Sequence, residues 1–127
     1  LIDVSAQDES LLEKHNAYWV NISRANELIF DHAQMVKDAI HILRRKASIQ
    51  PIGLNLLPEK FTLTHLQSLY EAIYGEPVDK RNFRKRMLSF DFLEKLDEVD
   101  KSGSKKGAYY YKLKDDRNLL LDAAYTF

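Results

Sequence analysis

Between Lys80 and Ser89 stand Lys80, Arg81, Arg84, Lys85 and Arg86, and no carboxylate. With Phe83 as the inward reference and about 100° per residue, Met87 and Phe90 fall within about 40° of it on a helix. Arg81 and Lys85 then lie within about 20° of the opposite pole, Arg84 sits on the flank, Lys80 nears the boundary and Arg86 covers the other shoulder. A solvated helix face usually mixes signs for i,i+4 pairing, whereas a helix entering a major groove meets a dense line of phosphates and excludes acids. Arginine makes bidentate contact with guanine O6 and N7, so Arg81 and Arg84 are candidate base readers and Lys80 and Lys85 candidate phosphate contacts. Asn82 either reads adenine or secures the first turn. A solvated basic face, or one pairing with acids on a partner subunit, accounts for the same pattern.

Two neighbouring stretches extend this surface. Thr62, Thr64 and Gln67 stand where a helix N-terminus, hydroxyls and an amide can meet phosphate. Lys101, Lys105 and Lys106 are set among small residues in Asp100–Gly107, as in a flexible tip lying along a nucleic-acid backbone; lysines there also keep edge strands from pairing with other chains. Tyr109, Tyr110 and Tyr111 alternate across a strand, so at least one faces the core, which explains them better than a base-stacking platform does.

The elements that position these groups follow from periodicity. Phe30, Ala33, Val36, Ile40, Leu43 and Ala47 make one helical stripe, giving a helix over about 31–47. Asp31 with Gln34 reads as its capping pair and Phe30 with Met35 as its hydrophobic staple. Pro51 and Gly53 end it, and Leu54 to Phe61, broken by Pro58, reads as a packed loop or short strand. Thr64 to Gln67 fits a capping box opening a second helix over about 64–74, which stops at Gly75. After a four-residue connection Asp79 caps a third helix with Phe83, Met87 and Phe90 inward. Phe92–Val99 and Ala108–Leu113 read as strands of a hairpin. Helix, helix, helix, hairpin is the order of a winged helix, with a helix-turn-helix in its second and third helices. The fold class expected is α+β, mainly α.

The chain has 127 residues, 45% hydrophobic and 30% charged, so it is one domain or one domain plus a fragment, globular rather than disordered. Net charge is zero but unevenly placed: −3 over residues 1–78, +5 over 79–114 and −2 over 115–127. The absence of cysteine removes disulfides, thiolate nucleophiles and Cys-ligated metals. No stretch approaches the roughly 18–20 apolar residues that span a bilayer, and no secretory signal opens the chain, so a cytoplasmic location is expected. The four histidines show no metal-ligand spacing, and His32 beside Asp31 reads as structural. Asp8, Glu9 and Glu13 form an acidic cluster in which Glu9 and Glu13, one helical turn apart, could in principle hold a divalent cation, and a solvated helix explains them better. No phosphate loop, nucleophile elbow or nucleophile–base pair is present. No cofactor is expected.

Residues 1–22 differ in kind: Leu1–Val4 and Ala17–Ile22 read as strands around a helix-compatible Asp8–Lys14. Two strands alone are marginal. The chain begins with Leu, and the expectation is that it starts inside a domain whose earlier part is missing.

Several motifs together resemble a known family. Phe30-Asp31-His32, Leu56-Leu57-Pro58, Phe61-Thr62-Leu63, Leu66 to Ile73 and Asp79-Lys80-Arg81-Asn82-Phe83-Arg84-Lys85 are similar to the C-terminal winged-helix domain of Nudix-related transcriptional regulators, over about residues 28–113. Residues 1–22, with Ala17-Tyr18-Trp19-Val20, resemble the closing strands of the Nudix domain that precedes it. The resemblance implies an organisation of 1–27 as Nudix remnant and linker, 28–114 as winged helix and 115–127 as tail. It implies a bacterial regulator, generally a homodimer, that binds double-stranded DNA and controls sugar or NAD metabolism. Its effector, ADP-ribose or a sugar metabolite, is bound by the Nudix domain. The DNA-contact face carries over onto Lys80, Arg81, Arg84 and Lys85. This chain carries no glutamate-rich Nudix box, so it is not itself expected to be an enzyme. In the family's pattern a Pro-containing turn precedes Phe-Asp-His, where this chain has Ser23-Arg24-Ala25-Asn26-Glu27. The rival readings are an accessory domain of a Nudix hydrolase acting on nucleoside diphosphate sugars, and a winged helix used for protein interaction or dimerisation.

Overall fold

The computed structural model describes residues 9–103 and 106–114. They fall into two compact units, 1–43 and 44–127.

In the first unit, α1 (Glu9–Lys14) forms where the sequence is helix-compatible. Residues 17–21 have no regular structure, and Ile22–Glu27 is a 3₁₀ helix capped by Asn21, whose side chain accepts from the Ser23 N–H at 2.9 Å. The strand expected at Ala17–Ile22 is therefore absent. A strand needs a partner for its N–H and C=O groups, and no other strand occurs among this unit's described residues. The companion stretch Leu1–Val4 lies outside the described residues.

Helix α2 (His32–Ile49) starts one residue and ends two residues beyond the expected span. Its start differs in detail. Gln34 donates to Asp38 at 2.8 Å instead of turning back to the cap. Phe30 holds φ at +55° and is 86% exposed, and its ring edge meets His32 with centroids 6.1 Å apart. Met35 is also exposed, so the Phe30–Met35 staple does not form.

The second unit holds the described core: Ala47, Leu54, Phe61, Leu63, Leu66, Tyr70, Ile73, Phe83, Met87 and Phe92. After a 3₁₀ turn at Leu54–Leu56, a two-residue strand β1 (Phe61–Thr62) leads directly into α3 (Leu63–Tyr74). Helix α4 (Lys80–Ser89) follows, then the hairpin β2 (Leu93–Asp100) and β3 (Ala108–Leu113). The sheet is antiparallel in the order β1-β3-β2, with Phe61 opposite Tyr111 and Leu93 opposite Leu113. The register shifts between Lys95 and Val99, a bulge that bends β2. Lys60 reaches across β3 to Glu98 within that bulge, at 2.7 Å.

Tyr70 is the centre of the core. It is fully buried, 5.3 Å from the Phe83 ring in an edge-to-face pair, and its hydroxyl accepts from the Ile52 N–H at 3.1 Å. One side chain thus joins α3, α4 and the loop after α2. Burial holds its phenol above the ordinary value, against the opposing pull of that N–H.

Among the described residues no helix is long and apolar enough to cross a membrane.

Candidate nucleic-acid interface

The turn between α3 and α4 sets the angle of the basic helix. Gly75 ends α3 with φ at +72°, a left-handed conformation that glycine adopts without penalty, and its N–H returns to the Glu71 carbonyl at 2.8 Å. Arg44, near the end of α2, donates to the Ile73 carbonyl at 3.2 Å, satisfying a further last-turn acceptor. Glu71 then fastens the turn: its Oε1 accepts from Gln67 at 2.9 Å and from the Val78 N–H at 3.2 Å. The Gln67 bond, and then the Val78 bond, hold the carboxyl below its ordinary value. Asp79 caps α4 by accepting from the Asn82 N–H at 2.8 Å.

The structure sorts the expected contact residues. Lys80, Arg81, Asn82 and Lys85 are exposed on α4, with Phe83 and Met87 buried on the opposite face. Among the described residues neither a hydrogen bond nor an ion pair holds the side chains of Lys80, Arg81 or Lys85. Arg84 is half-buried, and its Nε is enclosed without a hydrogen-bond partner among the described residues. Arg86 turns away from this face. It donates to the carbonyls of Ala47, at 3.3 Å, and Ser48, and lies over the Phe90 ring. It is thus a cap for the end of α2, tying that helix to α4.

At the start of α3 the cap lies two residues earlier than the Thr64 box. Strand β1 holds the chain extended through Thr62 (φ −92°, ψ 161°), so Leu63 is the first helical residue. Thr62 Oγ1 accepts from the His65 N–H, and His65 Nδ1 accepts from the Thr62 N–H. His65 occupies the place that Glu or Gln fills in the usual box. Thr62 is 2% exposed and its hydroxyl serves this cap, so it does not offer a phosphate contact. Thr64 is exposed on the first turn, whereas Gln67 is half-buried and bonded to Glu71.

On the hairpin, Lys101 and Lys106 are exposed at the tip, and Lys105 lies outside the described residues. Asp100 Oδ1 accepts from the Ser102 N–H to start the turn. Gly107 closes it with φ at +71°, where a Cβ would stand 2.2 Å from Val99 Cγ1 and 2.8 Å from the Asp100 carbonyl. Of the three tyrosines, Tyr110 and Tyr111 are half-buried while Tyr109 is exposed, with Lys95 Nζ 3.4 Å from its ring centroid. Lys95 stands opposite Tyr111 in the register, which puts Tyr109 diagonal to it on the same face of the hairpin. The Gln67–Glu71 spacing of four was a readable signal for the turn lock.

Among the described residues no group of three or more His, Asp or Glu side chains is arranged to hold a metal ion. Residues 53–113 match the family described as the NrtR DNA-binding winged helix domain. They belong to that family. The chain is also 30% identical, over 112 residues, to the "ADPR responsive transcriptional repressor NtrR" of Acinetobacter baylyi, spanning 87% of this chain and 45% of that protein. Among solved structures, Shewanella oneidensis NrtR complexed with a 27mer DNA is similar with a TM-score of 0.61 at 29% identity, over 87% of this chain and 48% of that one. A second structure of S. oneidensis NrtR gives a TM-score of 0.54 at 33% identity, over 68% and 39%. The chain thus spans less than half the length of these relatives. The matched stretch contains β1, α3, α4 and the hairpin, so the NrtR-type domain accounts for the helix-turn-helix and sheet of the second unit.

Proposed function

We propose that this NrtR-type domain reads double-stranded DNA with α4 in the major groove and the 101–107 tip along the backbone, as the output half of a cytoplasmic, effector-responsive bacterial transcription regulator. The observation that carries this is the outward face of α4, where Lys80, Arg81 and Lys85 stand exposed, without an ion-pair partner among the described residues, and with no acid from Lys80 to Ser89. Unpaired cations held on a rigid helix release counterions when they meet phosphate, which supplies affinity. Arg81 and Arg84 carry base readout, Lys80, Lys85 and Thr64 position the backbone, and Lys101, Lys105 and Lys106 form the wing contact. Asn82 reads adenine beside the Asp79 cap.

The reading assigns no catalytic step to this chain. The regulator acts as a homodimer on two half-sites. Its effector, of the ADP-ribose or sugar-metabolite class, is bound by the Nudix domain that precedes this module, and residues 1–27 are the end of that domain and its linker. The resemblance of Ala17-Tyr18-Trp19-Val20 to closing Nudix strands supports this, as does the ADPR-responsive relative from A. baylyi.

Charge reversal tests the proposal. Arg81→Glu with Arg84→Glu is expected to abolish duplex binding in a mobility-shift assay while sedimentation shows unchanged self-association. Retained duplex affinity in the folded double variant contradicts it.

A further inference from the structure

On the cationic face of α4 stands one residue that the charge argument does not use. Leu88 is 49% exposed, whereas Phe83 and Met87 of the same helix are 6% and 0% exposed. Among the described residues from 44 onward, the other large hydrophobics left exposed are Ile49 and Tyr109. Ile49 is the last residue of α2, and Tyr109 carries the Lys95 ammonium on its ring. Leu88 is therefore an exposed apolar group on the last turn of α4, on the same side as its cations.

Its position on the wheel is informative. Relative to Phe83 it lies at about 140°, between Arg81 at about 160° and the Arg84 flank at about 100°, with Lys85 at about 200°. It is seven residues after Arg81, four after Arg84 and three after Lys85. A helical side chain leans back over the preceding turn, so Leu88 covers surface toward Arg84 and Lys85. A ligand brought to those cations by its phosphates therefore meets a leucine beside them. In a major groove one apolar group is offered for contact, the thymine C5-methyl.

Resting on the DNA-binding reading above, we infer that Leu88 reads a thymine methyl in the major groove, giving α4 a specificity contact that does not depend on charge. Burying one methyl against leucine makes a T·A pair preferable to the same pair lacking the methyl by about fourfold in affinity. This contact is insensitive to salt, unlike those of Lys80 and Lys85.

The test uses deoxyuridine, which pairs as thymidine does and lacks only the methyl. Duplexes that the full 127-residue chain prefers are first selected from a random pool, and each thymidine is then replaced singly by deoxyuridine. Kd is measured by fluorescence anisotropy at two salt concentrations for the parent chain, Leu88→Ala and Leu88→Met. The parent is expected to lose about fourfold at one thymidine per half-site, equally at both salts. Leu88→Ala is expected to bind the thymidine duplex as the parent binds the deoxyuridine duplex and to be indifferent to that replacement, and Leu88→Met to restore the discrimination. Leu88 is exposed and alanine favours helix, so thermal unfolding of Leu88→Ala should match the parent. Sequence-selective binding with no sensitive thymidine, or unchanged sensitivity in Leu88→Ala, overturns the inference and leaves the DNA reading standing. Failure of the folded parent to bind any duplex overturns both.

Discussion

Residues on one helix face perform separable tasks. Arg81→Ala should relax selectivity at one base pair and cost about 1–3 kcal/mol on the preferred duplex, since a bidentate guanine contact is lost. Lys85→Ala should weaken all duplexes alike and lower the slope of log K against log salt by about one. Competition titrations against point-changed duplexes separate these outcomes, and identical behaviour of the two variants would contradict the division of roles. In the core, Tyr70→Phe keeps the ring but strands the Ile52 N–H, so the unfolding free energy should fall by about 1–3 kcal/mol in urea titration with an unchanged m value. The outward placement of Arg81 and Lys85 was legible because it follows from the 3.6-residue period alone. The tether made by Arg86 was not, because its acceptors at Ala47 and Ser48 lie nearly forty residues away. The same holds for the enclosure of Arg84 Nε, which depends on what packs beside the helix.

Elements were legible where local signals agree. Asp79 before Lys80 and Gly75 after Tyr74 fix the ends of the turn by capping chemistry that acts over three or four residues. β3 occupies the expected Ala108–Leu113. The α3 start was displaced because a histidine completes the box, a partner that the Ser/Thr-x-x-Glu/Gln pattern does not include. Strand character at Ala17–Ile22 was overridden because pairing depends on a partner strand rather than on the segment. Glu71 bridges Gln67 and the Val78 N–H across the turn, and the stability it contributes depends on pH with a definite sign. A carboxyl held below its ordinary value contributes stability above that value and loses it as pH falls through the folded value. The stability gap between the parent and Glu71→Ala should therefore be present at neutral pH and close as pH drops through and below the ordinary carboxylate range. Urea midpoints across that range measure it, and a gap that widens toward acid would contradict the role assigned to Glu71. Arg86→Ala should loosen α2 from α4 and cost on the order of 1–2 kcal/mol, visible as faster hydrogen exchange in 44–49.

Across the whole molecule, zero net charge conceals a basic segment of +5 confined to 79–114, which contains α4 and the hairpin. The fold gathers that charge onto elements of the second unit, whose core from Ala47 to Phe92 makes them rigid. The first unit leaves Tyr18, Trp19 and Phe30 at 75%, 64% and 86% exposure. The most direct test of the account is titration of the full 127-residue chain with a duplex from the promoter of its own operon and with a scrambled duplex, from about 50 to 200 mM salt. The account predicts preference for the promoter and a steep salt slope that becomes shallower in Arg81→Ala and Lys85→Ala. A folded chain that binds neither duplex at the lowest salt would contradict it and turn the basic face of α4 toward a protein partner.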